Sequence, residues 1–278
     1  MFQKALSALM ILCLMLISIK GADFVPASGE IISVKLPVIM YHGFTEGKNV
    51  STYVLKSEDL EKDILYLKKM GYEFVDTKDL IGFYESGTPL PAKPVMLTFD
   101  DGYLNNYIFA YPILKKHNVK AVISPIASRV DYQSENPDSN TAYAQLTWDH
   151  LREMSDSGLC DVQNHSYNMH TIDSDRKGSA RVSGETEYNY RRIFYEDLKK
   201  AHNAIRDATG KTPIAYAYPF GSISSETKSL LICSGYKISF TCNEGINTLT
   251  NDENCLFMLK RFNRTPEKSV EDFLGDLY

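Results

Sequence analysis

Two short stretches carry residue types that could do chemistry together: Thr98-Phe99-Asp100-Asp101-Gly102-Tyr103 and His165-Ser166-Tyr167-Asn168-Met169-His170. The first closes an apolar run, Val95-Met96-Leu97, that reads as a buried strand. Adjacent carboxylates at a strand end, followed by glycine, can point in different directions and take different tasks. One can ligate a metal while its neighbour removes a proton from water. Two imidazoles and one carboxylate form an open metal site with a coordination position left for water, the equipment of a metal-assisted hydrolase. Taken alone, an Asp-Asp-Gly triplet reads as a solvated turn, and a His pair as surface or hydrogen-bonded core. Found together, each beside an apolar segment, they favour the chemical reading.

The first stretch resembles the first motif of the polysaccharide deacetylases, the carbohydrate esterase family that removes N-acetyl groups from chitin-like glycans and peptidoglycan; the His-Ser-x-x-x-His stretch resembles the second. Leu36-Pro37-Val38-Ile39-Met40-Tyr41-His42 and Ala217-Tyr218-Pro219-Phe220-Gly221 also resemble family segments, in family order, so the likeness runs from Leu36 to Arg264. The resemblance implies that Asp100 is the catalytic base and that Asp101, His165 and His170 hold one divalent metal. It also implies that the backbone N–H of Tyr103 faces the developing oxyanion. Zinc is the first choice, although a His₂Asp set also accepts cobalt, nickel or iron.

Three departures from the family pattern stand out. The two histidines are five apart, whereas most of the family has them four apart, on one helical face. At roughly 100° per residue this spacing puts them about 140° apart around a helix, so they converge only on a loop or a wide π-type turn. A subgroup similar to exopolysaccharide deacetylases acting on poly-N-acetylglucosamine has the same spacing. Second, the family's general acid, a histidine near the C-terminus, is missing: the corresponding region reads Leu259-Lys260-Arg261-Phe262-Asn263-Arg264, and no histidine follows His202. His42, ending the first predicted strand, is the substitute candidate. Third, Ala215 to Tyr218 lack the arginine that orients the base, and Arg261 is the residue that could reach Asp100 instead.

The elements that must position these residues alternate. Strands are predicted at Leu36–Met40, Tyr72–Val75, Val95–Phe99, Lys120–Ser124, Cys160–Gln163, Ile214–Tyr218, Ile238–Cys242 and Met258–Phe262. Helices fall between them, one capped by Ser57 with the stripe Leu60, Ile64, Leu67 and Met70, another capped by Thr77, and the longest over Glu185–Thr209. Asp131 to Asn140 reads as a surface loop, and Thr171 to Ser183 as a loop beside the site. This order implies an α/β fold in one domain, and the resemblance implies a distorted (β/α) barrel of about seven strand–helix units with its chemistry at the C-terminal strand ends.

Lys4 precedes an apolar stretch from Ala5 to Ile19, so residues 1–22 read as a signal peptide or an uncleaved N-terminal anchor, and 23–278 as the catalytic domain, secreted or membrane-anchored. A net charge of −5 without a basic block disfavours nucleic acid. The expected partner is an acetylated glycan, bound by a monomer. Cys160, Cys233, Cys242 and Cys255 form an even set that permits disulfides, with free thiols equally compatible. The leading function is N-deacetylation of an N-acetylglucosamine-containing polysaccharide: peptidoglycan, a chitin-like chain or an exopolysaccharide. An O-acetyl esterase of xylan type and a non-catalytic glycan-binding homologue are the alternatives.

Overall fold

The computed structural model describes residues 33–274 apart from 49 and 174, and the predicted signal or anchor segment lies outside them. Within the described residues no helix is long and apolar enough to cross a membrane. The chain runs through β1 (Val34–Leu36), β2 (Val38–Tyr41), β3 (Gly43–Thr45), β4 (Val54–Lys56), α1 (Ser57–Lys69), β5 (Glu73–Phe74), α2 (Thr77–Ser86) and β6 (Pro94–Asp101). A π-helical turn (Asn106–Ala110) leads into α3 (Tyr111–His117), followed by β7 (Ala121–Pro125), α4 (Ala127–Glu135), α5 (Trp148–Asp156) and β8 (Cys160–Val162). The last third holds α6 (Glu187–Thr209), β9 (Ala215–Ala217), α7 (Thr227–Cys233), β10 (Ile238–Phe240), β11 (Asn247–Leu249), β12 (Phe262–Asn263) and α8 (Val270–Leu274).

Six strands form one parallel sheet, in the order β12-β2-β6-β7-β8 with β5 beside the start of β6, and β9 and β10 pair as a separate parallel ribbon. The expected barrel does not close by continuous pairing. β8 meets β9 through the single bridge Asn164–Tyr216, and β10 meets the approach to β12 through Phe240–Leu259. The strands there are only two or three residues long, too short to sustain a ladder around the ring.

β6 is buried at all its positions, so side-chain alternation decides which layer each residue joins. Val95, Leu97 and Phe99 pack with Leu60, Ile64 and Leu114 of the helices. Met96 faces the other way, with Val38, Val122, Ala217 and Phe240. By the same period of two, Thr98 and Asp100 belong to this inner layer.

Several local expectations need correction. The 131–140 segment is not a loop throughout: α4 extends to Glu135, burying Ala127, Val130 and Gln133. Its inner stripe contains one small and one polar residue, too weak an apolar period to read. α1 starts after Lys56, which makes no side-chain cap; Ser57 bonds the Glu46 carboxylate instead. Met70 lies outside the stripe, 43% exposed. α2 is capped by Asp76, whose carboxylate accepts from the Lys78 and Asp79 N–H groups, rather than by Thr77. The final strand sits at Phe262–Asn263, four residues later than its predicted start. The four cysteines beyond residue 33 are unpaired.

Candidate active site

Asp101 should by alternation follow Phe99 toward the helices. Instead it adopts a left-handed φ of 69°, followed by Gly102 at 77°, and lines the same cavity as Asp100. Aspartate tolerates that conformation better than most residues. Gly102 is required there, because a Cβ would lie 2.8 Å from the Pro125 Cβ. The turn lets consecutive carboxylates share one cavity, of about 440 Å³.

The two histidines reach it from a loop, not a helix. Ser166 takes a left-handed φ of 76°, and its N–H donates to Asn164 Oδ1 at 2.7 Å. The carbonyls of Ser166 and Tyr167 accept from the N–H groups of Ala127 and Ser128, tying the loop to the start of α4. From α6, Asp197 grips it with both oxygens, accepting from the Tyr167 N–H at 2.8 Å and the Asn168 N–H at 2.7 Å. These anchors resolve the five-residue spacing: His165 Nε2 and His170 Nε2 lie 3.5 and 3.2 Å from Asp101 Oδ1.

His165 Nδ1 lies 2.8 Å from the Ala217 carbonyl. A carbonyl only accepts, so Nδ1 carries a proton, and Nε2 is the nitrogen turned toward Asp101. The ring of Phe220, 4.2 Å from that of His170, backs the second histidine. Burial, with the charge of His165 next, pushes His170 down to about 4, leaving a neutral imidazole at neutral pH. Burial pushes the Asp101 carboxyl up, but the imidazoles of His165, His42 and His170 around it hold it below the usual carboxylate range.

These residues fit a metal. The ligand atoms of Asp101, His165 and His170 lie within 4.8 Å of one another, and the Asp101 Oδ1 is buried with no hydrogen-bond partner. Two atoms that ligate zinc at about 2.0–2.2 Å in tetrahedral geometry are roughly 3.3 Å apart, matching the two separations from Asp101. Removing the loop's anchor should therefore be felt at this site. Asp197→Ala is expected to weaken metal affinity about 10–100-fold while the metal-free protein keeps its secondary structure, read by chelator competition and circular dichroism.

Asp100 sits deeper. Arg261, with no exposed surface, meets it as a fork: Nη1 to Oδ1 at 2.9 Å and Nη2 to Oδ2 at 2.7 Å. The guanidinium also donates to the Thr241 carbonyl and to Thr98 Oγ1, and stands 5.5 Å from the Phe240 ring. Burial pushes the Asp100 carboxyl up; the charges of Arg261 and His165 outweigh it and keep the group ionised.

His42 lines the cavity, its ring 4.8 Å from that of Tyr53. Its backbone is pinned to the π-helical turn: Asn106 Nδ2 donates to the His42 carbonyl, and the Phe44 N–H to Asn105 Oδ1. Burial lowers its pKa, against the opposing pull of Asp100 and Asp101. Tyr103 forms an isolated bridge with Gln145, but the bonds belong to its neighbours, Leu104 N–H to Ala144 and Leu146 N–H to Gly102. That bridge leaves the Tyr103 N–H unused.

The structure thus brings together Asp100, Asp101, His165, His170, His42, Tyr103 and Arg261. Sequence reading missed Asp197, Asn105, Asn106, Tyr53 and Asn263, which also lines the cavity. Asp197 lies in a charged helix face and carries no signal of its own. The Asn105-Asn106 pair, polar residues in a predicted helix just after the motif, was the one available hint.

The family model described as polysaccharide deacetylase matches residues 87–239. Over 213 residues the chain is 27% identical to the poly-beta-1,6-N-acetyl-D-glucosamine N-deacetylase of Escherichia coli K12, covering 69% of this chain but 31% of that protein. The chain therefore spans about a third of that relative's length. Among solved structures, a de-N-acetylase from Aggregatibacter actinomycetemcomitans superposes with a TM-score of 0.75 at 25% identity, covering 87% of this chain and 99% of that one. IcaB from Ammonifex degensii superposes with a TM-score of 0.70 at 27% identity, covering 85% and 94%.

Proposed function

Because the chain belongs to the polysaccharide deacetylase family, we propose that it is an exported, metal-dependent hydrolase that releases acetate from an N-acetylglucosamine-containing polysaccharide, with a poly-N-acetylglucosamine exopolysaccharide as the favoured polymer. One observation carries the reading: Asp101, His165 and His170 converge beside a second carboxylate, Asp100, that is held ionised by a buried arginine. A glycan-binding module gains nothing from a buried, charge-paired base next to a ligand set. The relatives' names and the five-residue histidine spacing support the choice of polymer, and the apolar stretch after Lys4 supports export.

A divalent metal held by Asp101, His165 and His170 supplies Lewis-acid chemistry, acidifying water and polarising the acetyl carbonyl. The chain's own groups do the rest. Asp100, ionised and oriented by Arg261, takes the proton of the attacking water. The Tyr103 N–H donates to the developing oxyanion. His42 delivers a proton to the departing amine; with its pKa lowered by burial, its imidazolium is a stronger acid than the free side chain. Acetate release from a panel of N-acetylglucosamine oligomers and acetylated xylan, with elemental analysis of the same protein, tests the whole. No acetate from any N-acetylated oligomer by the metal-loaded protein would sink it.

The acid role has its own test. His42→Ala should cripple release from N-acetyl substrates, because an unprotonated amine leaves poorly. An acetylated phenol needs little help, since phenolate leaves readily, so the variant should keep far more of its activity on the ester. Equal losses on both substrates at unchanged metal content would make His42 structural.

A further inference from the structure

The long helix α6 treats its cations in two ways. Arg191 and Arg192 are neutralised along the helix, by Glu187 at 2.7 Å and Glu196 at 3.0 Å. Lys199, His202 and Arg206 are left to face a cavity. Spaced three and four apart, they share one side of the helix and line a space of about 310 Å³ between α6 and the end of α7. That volume lies at the lower end of the ~300–1,000 Å³ usual for ligand sites. Among the described residues none that lines it is acidic, in a chain whose net charge is −5. The Lys199 ammonium stands 5.8 Å from the Tyr195 ring, with no carboxylate in ion-pair reach among the described residues. Arg206 pairs with the adjacent Asp207, 67% exposed, a surface contact worth little. Burial, and after it the charge of Arg206, lowers the His202 pKa. His202 Nδ1 lies 3.4 Å from the hydroxyl of buried Tyr236, whose oxygen accepts from Asn164 Nδ2 at 2.7 Å and is thereby fixed as a wall of the cavity. The carbonyl end of the short α7, at Cys233 and Ser234, adds a weak opposing field, outnumbered by the basic groups.

We propose that this cavity is an anion site, separate from the catalytic one, that binds a phosphate ester through Lys199, His202 and Arg206. A cationic stripe with no acid to fill it is complete only when an anion arrives. Donors from an ammonium, a guanidinium and an imidazole suit the several oxygens of a tetrahedral phosphate better than the coplanar pair of a carboxylate. Bare phosphate would fill part of the space, and the rings of Tyr195 and Tyr236 leave an amphipathic wall for the small polyol or sugar that carries it. The group can come as a free monoester or as a diester within a polymer.

The experiment follows the His202 ring by NMR in the metal-loaded protein, its signal identified through His202→Gln. The probes, at one ionic strength, are chloride, acetate, inorganic phosphate, glycerol 1-phosphate and the diester bis(glyceryl) phosphate. Inorganic phosphate and at least one ester should move the His202 titration upward, because a bound anion favours the imidazolium, while acetate should leave it where chloride does. A monoester that binds tighter than the diester identifies a free phosphate as the ligand; a diester that binds as well identifies a polymer. Lys199→Gln/Arg206→Gln should weaken phosphate by about tenfold or more, since two charge-assisted contacts are lost. Both side chains are exposed, so folding is little at risk, and unchanged melting confirms it. Phosphate bound only at the catalytic metal would slow acetate release alike in wild type and double variant without moving His202, and would overturn the proposal. So would an equal response to acetate, a response to inorganic phosphate but to neither ester, or undiminished phosphate affinity in the double variant.

Discussion

Replacing Arg261 by methionine is expected to cost about 3–5 kcal/mol of folding free energy and most of the turnover. The guanidinium and the Asp100 carboxylate are both buried, and each is the other's main partner. Removing one leaves an uncompensated charge in the interior, which is worse than having neither. Against a total of about 5–15 kcal/mol for a typical domain, the loss is large. The double variant Asp100→Asn/Arg261→Met should be markedly more stable than the sum of the single changes, because two neutral side chains replace the pair. Urea denaturation of the four proteins at one metal loading reads the coupling. If the single changes simply add, the fork contributes nothing beyond its two halves.

Asp100→Asn is expected to retain the metal and lose roughly 10²–10⁴-fold in turnover, the usual range for a general base. The carboxamide keeps one acceptor for Arg261 and leaves the Asp101, His165 and His170 set untouched. Elemental analysis and acetate release on the same folded preparation separate the two effects. Near-normal turnover at full occupancy would move the proton transfer to another group.

The reach of sequence reasoning differed from place to place for physical reasons. The β6 run was legible because every position is apolar up to Thr98, and the carboxylates at its end announced a turn through Gly102. The long helix was legible from Tyr190, Phe194, Leu198, Ala201 and Ile205, spaced three and four apart and all buried. α4 was not, because its inner face mixes alanine, valine and glutamine. The barrel expectation came from the family resemblance and from the count of units, and neither foresees that two seams narrow to single bridges. At the site, motif spacing identified which residues to watch but could not say how a six-residue stretch brings two imidazoles together. That answer lies in Asp197 and in the left-handed Ser166. Such contacts link residues about thirty positions apart through backbone N–H groups, which leave no mark on residue type.

The arginine that holds Asp100 lies 161 residues downstream of it, on the approach to β12, the strand that pairs with β2 near the start of the described chain. A ribosome therefore delivers the strand, the carboxylates and both histidines long before their counter-charge. Until the last strand docks, Asp100 has no reason to be buried as an anion, and the nascent protein has every reason to leave that interior wet. Completion of the catalytic floor is thus a late event of biosynthesis, and chains released before residue 261 should hydrolyse nothing.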